Sequence, residues 1–309
     1  MNQTTNKEHG LGIAFAALSY MLWGILPLFW KLVDDVPASE ILAHRIVWSL
    51  VFMLVILLLL KKFSSFFTEL KALVRNRKRF IGVACASVFI SINWGLYIWA
   101  VNEDRIVEAS LGYYINPLVS ILLAVIVLKE KLSVLQTLSI ILAGIGVLVL
   151  TVNFGSFPWV AIMLAVSFAF YGLIKKMVQL GALVGLAIET LLITPFALLF
   201  LTAVHVNGGG ALGASVNLTF LLLGAGVVTA IPLLLFASGA RRIPLSMIGL
   251  LQYIAPTIKL FIGVYLFHEP FTGVHLVAFT CIWMALVLYT VTLTKGLRMK
   301  RPVVSSKSA

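Results

Sequence analysis

The chain has 309 residues, of which 61% are hydrophobic and only 11% charged, with a formal net charge of +12. A soluble domain carries about a quarter charged residues to cover its surface. Most of this surface must therefore face something other than water, and lipid is the medium that fits. The basic excess excludes little by itself, but its placement along the chain, set out below, argues against a nucleic-acid partner.

In chain order, apolar runs between charged or Pro/Gly/Asn breaks predict ten transmembrane helices. They cover about 11–30, 40–60, 80–101, 107–128, 132–152, 158–174, 182–203, 217–240, 245–267 and 272–294. About 20 residues suffice for a helix to cross a hydrocarbon core of about 30 Å. The runs Ile41–Leu60 and Leu132–Val152 reach that length without a proline. The polar stretch Met1–Gly10 is followed by no cleavage site, so the first run reads as a span rather than a removed signal peptide. Cys85 and Cys281 lie within apolar runs as packing residues, and no Cys/His cluster has metal-ligand spacing. No metal or other cofactor is expected.

Charge sets the orientation. With a cytoplasmic N-terminus, the inner segments are the N-tail, 61–79, 129–131, 175–181, 241–244 and the C-tail. They hold 19 of the 23 Lys and Arg, against Lys31 and Arg105 outside, with Arg45 and Lys259 inside spans. Acids run the other way: Glu8, Glu69 and Glu130 are inner, whereas Asp34, Asp35, Glu40, Glu103, Asp104, Glu108 and Glu269 are outer or at the outer border. This is a positive-inside pattern, which places the chain in a plasma membrane as a multi-pass protein with both termini cytoplasmic. The basic loop Lys61–Arg79 then reads as a topology determinant at an anionic leaflet.

A shift of 139 residues aligns Ser110-Leu-Gly-Tyr-Tyr-Ile-Asn-Pro117 and Glu130 with Gly249-Leu-Leu-Gln-Tyr-Ile-Ala-Pro256 and Glu269. A weaker echo pairs Ser19 and Trp23-Gly24 with Ser167 and Tyr171-Gly172. The chain thus divides into two five-helix repeats, 1–152 and 153–309. Because five is odd, the second enters the membrane from the opposite side. Inverted repeats of this kind form transporters that bind substrate near the midplane, where the repeats meet.

These residues carry a resemblance. Asn93-Trp-Gly-Leu-Tyr-Ile-Trp-Ala-Val-Asn102, Ala109-Ser-Leu-Gly-Tyr-Tyr-Ile-Asn-Pro-Leu118, Val36-Pro-Ala-Ser-Glu-Ile-Leu-Ala-His-Arg45, Ser167-Phe-Ala-Phe-Tyr-Gly172 and Gln252-Tyr-Ile-Ala-Pro256 resemble the RarD branch of the EamA-type drug/metabolite transporter superfamily. The resemblance runs along nearly the whole chain. It implies an all-α, ten-helix transporter whose first four helices in each half line a central cavity, with the fifth outside. Lys259 departs from it, standing where an apolar or small residue is expected.

The fourth and ninth spans carry matching stripes. Ser110, Tyr113, Pro117, Ser120 and Ala124 share one helical face, as do Gly249, Gln252, Pro256, Lys259 and Gly263. Small residues in such stripes suit tight helix packing, whereas Tyr113, Gln252 and Lys259 are too large and polar for that alone. The candidates for a substrate cavity are Trp23, His44, Asn93, Trp94, Tyr97, Tyr113, Asn116, Gln252 and Tyr253. Pro117 and Pro256 are candidate hinges, since proline withholds a hydrogen bond from the preceding turn. Glu189 and Lys259 lie about 10 and 12 Å inside their spans at 1.5 Å per residue, where a bare charge is costly. Either Glu189 couples transport to a proton or cation, or it pairs with Lys259. Arg45 is close enough to the border to snorkel outward, and Trp30 and Trp159 suit interfacial belts.

The leading expectation is secondary transport of a small metabolite or drug-like molecule, outward, by alternating access. No GxxxxGK[ST] run is present for ATP. An integral-membrane enzyme acting on a lipid-borne substrate and a small-solute channel remain as alternatives. The outer acids Asp34, Asp35, Glu103, Asp104 and Glu108 show no metal spacing and read as solvated loop charges. Oligomeric state is left open.

Overall fold

A computed structural model describes residues 3–299 except 104, 156 and 267–270. Asp104 and the His268–Glu269 end of the internal repeat therefore lie outside the described residues. Among the described residues ten helical spans are long and apolar enough to cross a membrane, beginning with α1 (Gln3–Trp30) and α2 (Ala38–Leu59). The third, fourth and fifth are α4 (Arg77–Asn102), α5 (Ile106–Ile126) and α6 (Val134–Phe154). Next come α7 (Trp159–Val178), α8 (Ala182–Val206) and α9 (Val216–Ala240). The ninth span is split into α10 (Leu245–Leu251) and α11 (Ile254–Leu266), and α12 (Gly273–Met299) completes the set. No strand occurs among the described residues. In hydrocarbon this is the expected outcome, because a helix satisfies its backbone polar groups within itself.

The loop expected over 61–79 is instead mostly helical. α3 (Phe63–Arg75) places Phe66 and Leu73 inward while Lys71 and Arg75 stay exposed. Its apolar residues recur at helical spacing over too short a stretch to span, so it lies as a surface helix linking α2 to α4.

Packing follows a regular scheme. α1 meets α9 and α11, α4 meets α7, and α5 meets α7 and α10. α2 packs on α8 and α9, while α6 and α12 pair with each other. If spans are numbered one to ten, advancing every number by five returns the same principal contacts. The closest approaches need glycine. At Gly226 a Cβ would overlap the backbone of Trp48 and Ser49, and the Ser49 hydroxyl donates to the Gly226 carbonyl at 2.9 Å. At Gly146 a Cβ would stand 2.6 Å from the Ala278 carbonyl oxygen, which sets the α6–α12 contact.

The two prolines of the repeat behave differently. α5 runs unbroken through Pro117, whereas the ninth span turns at Gln252 and Tyr253, just before Pro256. Pro256 has no N–H for the Gln252 carbonyl, which accepts from Ala255 N at 3.3 Å instead.

Replacing Gly226 by Val is expected to destabilise the bundle by about 1–3 kcal/mol or more through overpacking. Gly224→Ala, whose Cβ would meet only Phe29 ring atoms at 3.8 Å and beyond, should be neutral. Thermal unfolding of the detergent-purified variants checks both.

A central cavity lined by aromatic, amide and cationic side chains

A cavity of about 300 Å³ lies at the centre of the bundle. Its lining comes from α1, α2, α4, α5, α7, α9, the ninth-span turn at Gln252 and α11. Among the described residues α6 and α12 contribute nothing to it, as the resemblance implies for the fifth helices, and neither does α8. The lining side chains sit toward one end of the bundle: Trp30 is the last residue of α1, and Arg45 lies early in α2. Tyr97 is late in α4, Tyr113 early in α5 and Lys259 midway along α11.

Of the residues singled out from sequence, Trp23, Asn93, Trp94, Tyr97, Tyr113, Asn116, Gln252, Pro256 and Lys259 line this cavity. Asn93 is held by its amide, which donates to the Leu164 carbonyl at 2.8 Å and the Ser167 hydroxyl at 3.0 Å. Gln252 donates to Ser120 Oγ at 3.2 Å, and Ser120 donates to Asn116 Oδ1 at 3.4 Å. This short relay ties the fourth and ninth spans together across the cavity floor. Tyr97 and Tyr113 meet edge to face at 6.1 Å and remain about one-third exposed, at 36% and 37%.

Other expectations are corrected. His44 does not reach the cavity: it is buried against Glu40, with Nε2 3.7 Å from Oε1. Successive residues on a helix point about 100° apart, and here Arg45 takes the inward direction. Arg45 does not snorkel to the border. Its Nε donates to Thr229 Oγ1 at 2.9 Å, and its guanidinium lies 4.6 Å from the Trp30 ring and 5.1 Å from that of Trp94. Trp30 is thus a wall residue as well as an end residue. Tyr253 is fully buried in the core, and Pro117 packs in the contact between α5 and α10.

The pairing of Glu189 with Lys259 is also overturned. Glu189 lies away from the cavity, where it accepts from Lys175 Nζ at 2.7 Å and from the Tyr171 hydroxyl at 3.2 Å. Lys259 Nζ instead sits 3.8 Å from the centre of the Tyr113 ring. Lys175 occupies the last turn of α7, so a span boundary drawn at 174 hid its inward reach. Between Glu189 and the cavity stands an aromatic plug. Trp23 and Phe168 line the cavity, and each contacts Phe236, at 5.8 and 5.6 Å. Phe236 in turn stacks on buried Tyr171 at 6.0 Å.

Nor is Glu108 a solvated loop charge. It is buried, and Oε1 accepts from Val160 N at 2.8 Å, capping the start of α7. Glu130 likewise accepts from Leu245 N at 2.8 Å and Ser246 N at 3.1 Å, capping α10. Carboxylates suit these places because helix N-termini present unpaired N–H groups and partial positive charge. Glu40 serves the 207–215 connection in the same manner through Ala211 N.

Thr229, Phe168 and Arg45 were missed as lining residues. Arg45 alone carried a usable signal, a cation inside a span with no acid one helical turn away on its inward face.

The build is that of a multi-pass membrane protein enclosing a site of small-molecule size. The EamA-like transporter family matches residues 10–152. Transporter YojE of Bacillus subtilis (strain 168) is 48% identical over 297 residues, covering 96% of this chain and 99% of that one. Protein RarD of Escherichia coli (strain K12) is 41% identical over 284 residues, covering 92% and 95%, and Protein RarD of Streptomyces exfoliatus is 44% identical over 291 residues, covering 92% and 89%. A crystal structure sharing 16% identity superposes with a TM-score of 0.70 over 91% of this chain and 98% of that one, a likeness of fold. The chain belongs to the EamA-like transporter family, in the drug/metabolite transporter superfamily. Within that family it is of the RarD type.

Removing one member of the Lys175–Glu189 pair leaves the other charge buried, and Glu189→Gln should cost about 3–5 kcal/mol. The double variant Lys175→Met/Glu189→Gln should recover much of that loss. A double-mutant cycle on melting temperature checks this; additive losses would show the pair to be uncoupled.

Proposed function

We propose that this protein is a secondary transporter that exports a small metabolite or drug-like molecule across the plasma membrane by alternating access. One observation carries the reading: the central cavity is enclosed by spans from both parts of the chain and blocked toward one end by the Trp23–Phe168–Phe236–Tyr171 plug. A site reached from one side at a time is what alternating access requires. Among the described residues the lining holds no carboxylate, histidine or cysteine, which favours passage of an unchanged solute over hydrolysis of a lipid-borne one.

The working parts are two five-helix repeats, 1–152 and 153–309, inverted with respect to each other. The 139-residue sequence register supports this, and so does a contact scheme that repeats when spans are exchanged five for five. Rocking one repeat against the other would open the plugged end, with the Pro256 break in the ninth span as a hinge. The segregation of Lys and Arg supports a cytoplasmic position for the plug and the Lys175–Glu189 pair, together with both termini. Both partners of the pair lie in the second repeat, so rocking would part the Trp23–Phe168 contact between the repeats while the pair braces α7 against α8, and a proton delivered to Glu189 would loosen that brace.

Reconstituted protein in liposomes loaded with a bacterial metabolite extract provides the test. Selected solutes should leave unchanged in mass, with saturation and acceleration by solute on the far side, and Glu189→Gln should flatten the dependence on a pH gradient. Appearance of new masses would mean an enzyme, and flux without saturation or counterflow would mean a channel; either ends the proposal.

Sidedness is checked separately in a background lacking Cys85 and Cys281. Asp35→Cys and Glu269→Cys should react with an impermeant maleimide in intact cells, and Lys131→Cys only after lysis. Labelling of positions 131 and 269 from the same side would remove the inverted arrangement.

A further inference from the structure

The cavity lining contains two cations, Arg45 and Lys259, and no acid among the described residues. The acids of the described chain are occupied elsewhere or exposed. Glu40 pairs with His44, Glu69 with Arg79, Glu108 with Arg105, Glu189 with Lys175 and Glu8 with Arg242. Glu130 caps α10, and Asp34, Asp35 and Glu103 are exposed. Among the described residues, neither cavity cation has a carboxylate within 4 Å.

Their present contacts are aromatic faces and one hydroxyl. Lys259 lies over Tyr113, while Arg45 lies between Trp30 and Trp94 and uses Nε on Thr229. Cation–π contact offsets only part of the loss of hydration, and two like charges facing one low-dielectric space repel each other. The terminal nitrogens of Arg45 and the ammonium of Lys259 have no hydrogen-bond acceptor among the described residues. What completes such a site is an oxyanion, which guanidinium and ammonium bind through charge-assisted hydrogen bonds. Around it stand Trp23, Trp94 and Phe168, flat apolar surfaces suited to a ring.

We infer that the cavity recognises an organic anion, its carboxylate or phosphate held between Arg45 and Lys259 and its planar apolar body against the aromatic walls. This rests on reading the cavity as the substrate site and adds the charge class of the cargo. A carboxylate bound there would offset one of the two positive charges and a phosphate monoester nearly both, so the loaded cavity holds less uncompensated charge than the empty one.

Binding to the purified full-length protein in detergent tests the assignment, read from tryptophan fluorescence because Trp23, Trp30 and Trp94 line the cavity. The probes are benzoate, phenylpyruvate and phenyl phosphate, with benzamide as the neutral and benzylamine as the cationic counterpart. At least one anion should bind saturably, more tightly than both counterparts, and weaken as salt rises. The stronger of the carboxylate and phosphate arms identifies the headgroup. Lys259→Met and Arg45→Gln should each weaken it by about 30-fold or more, and Lys259→Arg should retain most of the affinity. The wild-type comparison of probes needs no variant to fold. Equal or tighter binding of benzamide or benzylamine, or no saturable binding of any anion, overturns the assignment. Flux of neutral or cationic solutes in liposomes without anion binding would sink the charge class and leave transport standing. Anion binding without any flux would do the reverse.

Discussion

Hydrocarbon offers no hydrogen bonds, and a polar side chain carried into it must find a partner inside the protein. That constraint organises this molecule. Each ionisable group at depth is turned inward, and each has a particular solution. Glu189 takes Lys175 and the Tyr171 hydroxyl, while Glu108 and Glu130 take the free N–H groups of helix starts. Arg45 and Lys259 receive only a hydroxyl and aromatic faces. The difference between fully and partly satisfied groups separates the scaffold from the site.

Apolar burial cannot drive these helices together, because lipid is as apolar as leucine. Close packing does that work instead, and small residues allow it: Gly226 lets α9 lie on the backbone of α2, and Gly146 brings α6 onto α12. Where the contacting residues are large and polar instead, the helices stand apart and a cavity remains. The fifth and tenth spans pack on each other away from this space, so they brace the bundle without shaping the site.

The two ends of the cavity are built differently. Toward the Lys175–Glu189 end, α1, α7 and α9 close through contacting aromatic rings, with the ion pair behind them. Toward the other, Tyr97 and Tyr113 keep about a third of their surface free. Rings can slide and re-stack at little cost, whereas a buried ion pair resists separation, so the pair rather than the plug is the stiffer element. The ninth span is already broken beside the cavity, just before Pro256, where the Gln252 carbonyl accepts from Ala255 N instead of its usual partner.

Much of this was legible in the sequence. Length, hydropathy and internal register define ten spans and their order, because a membrane helix must be long and apolar whatever it packs against. The amphipathic stripes also marked Tyr113, Gln252 and Lys259, since helical phase is a local property. Tertiary structure alone decided which of two adjacent polar residues, His44 or Arg45, faces the cavity, because that depends on how the helix is rotated against its neighbours. It decided, too, that Glu189 meets Lys175 and not Lys259: partners of a buried charge are chosen by distance across the bundle, and sequence spacing carries no measure of that distance. Pro117 and Pro256 occupy equivalent places in the repeat, yet only the ninth span breaks at its proline, a difference that the local pattern the two share does not carry.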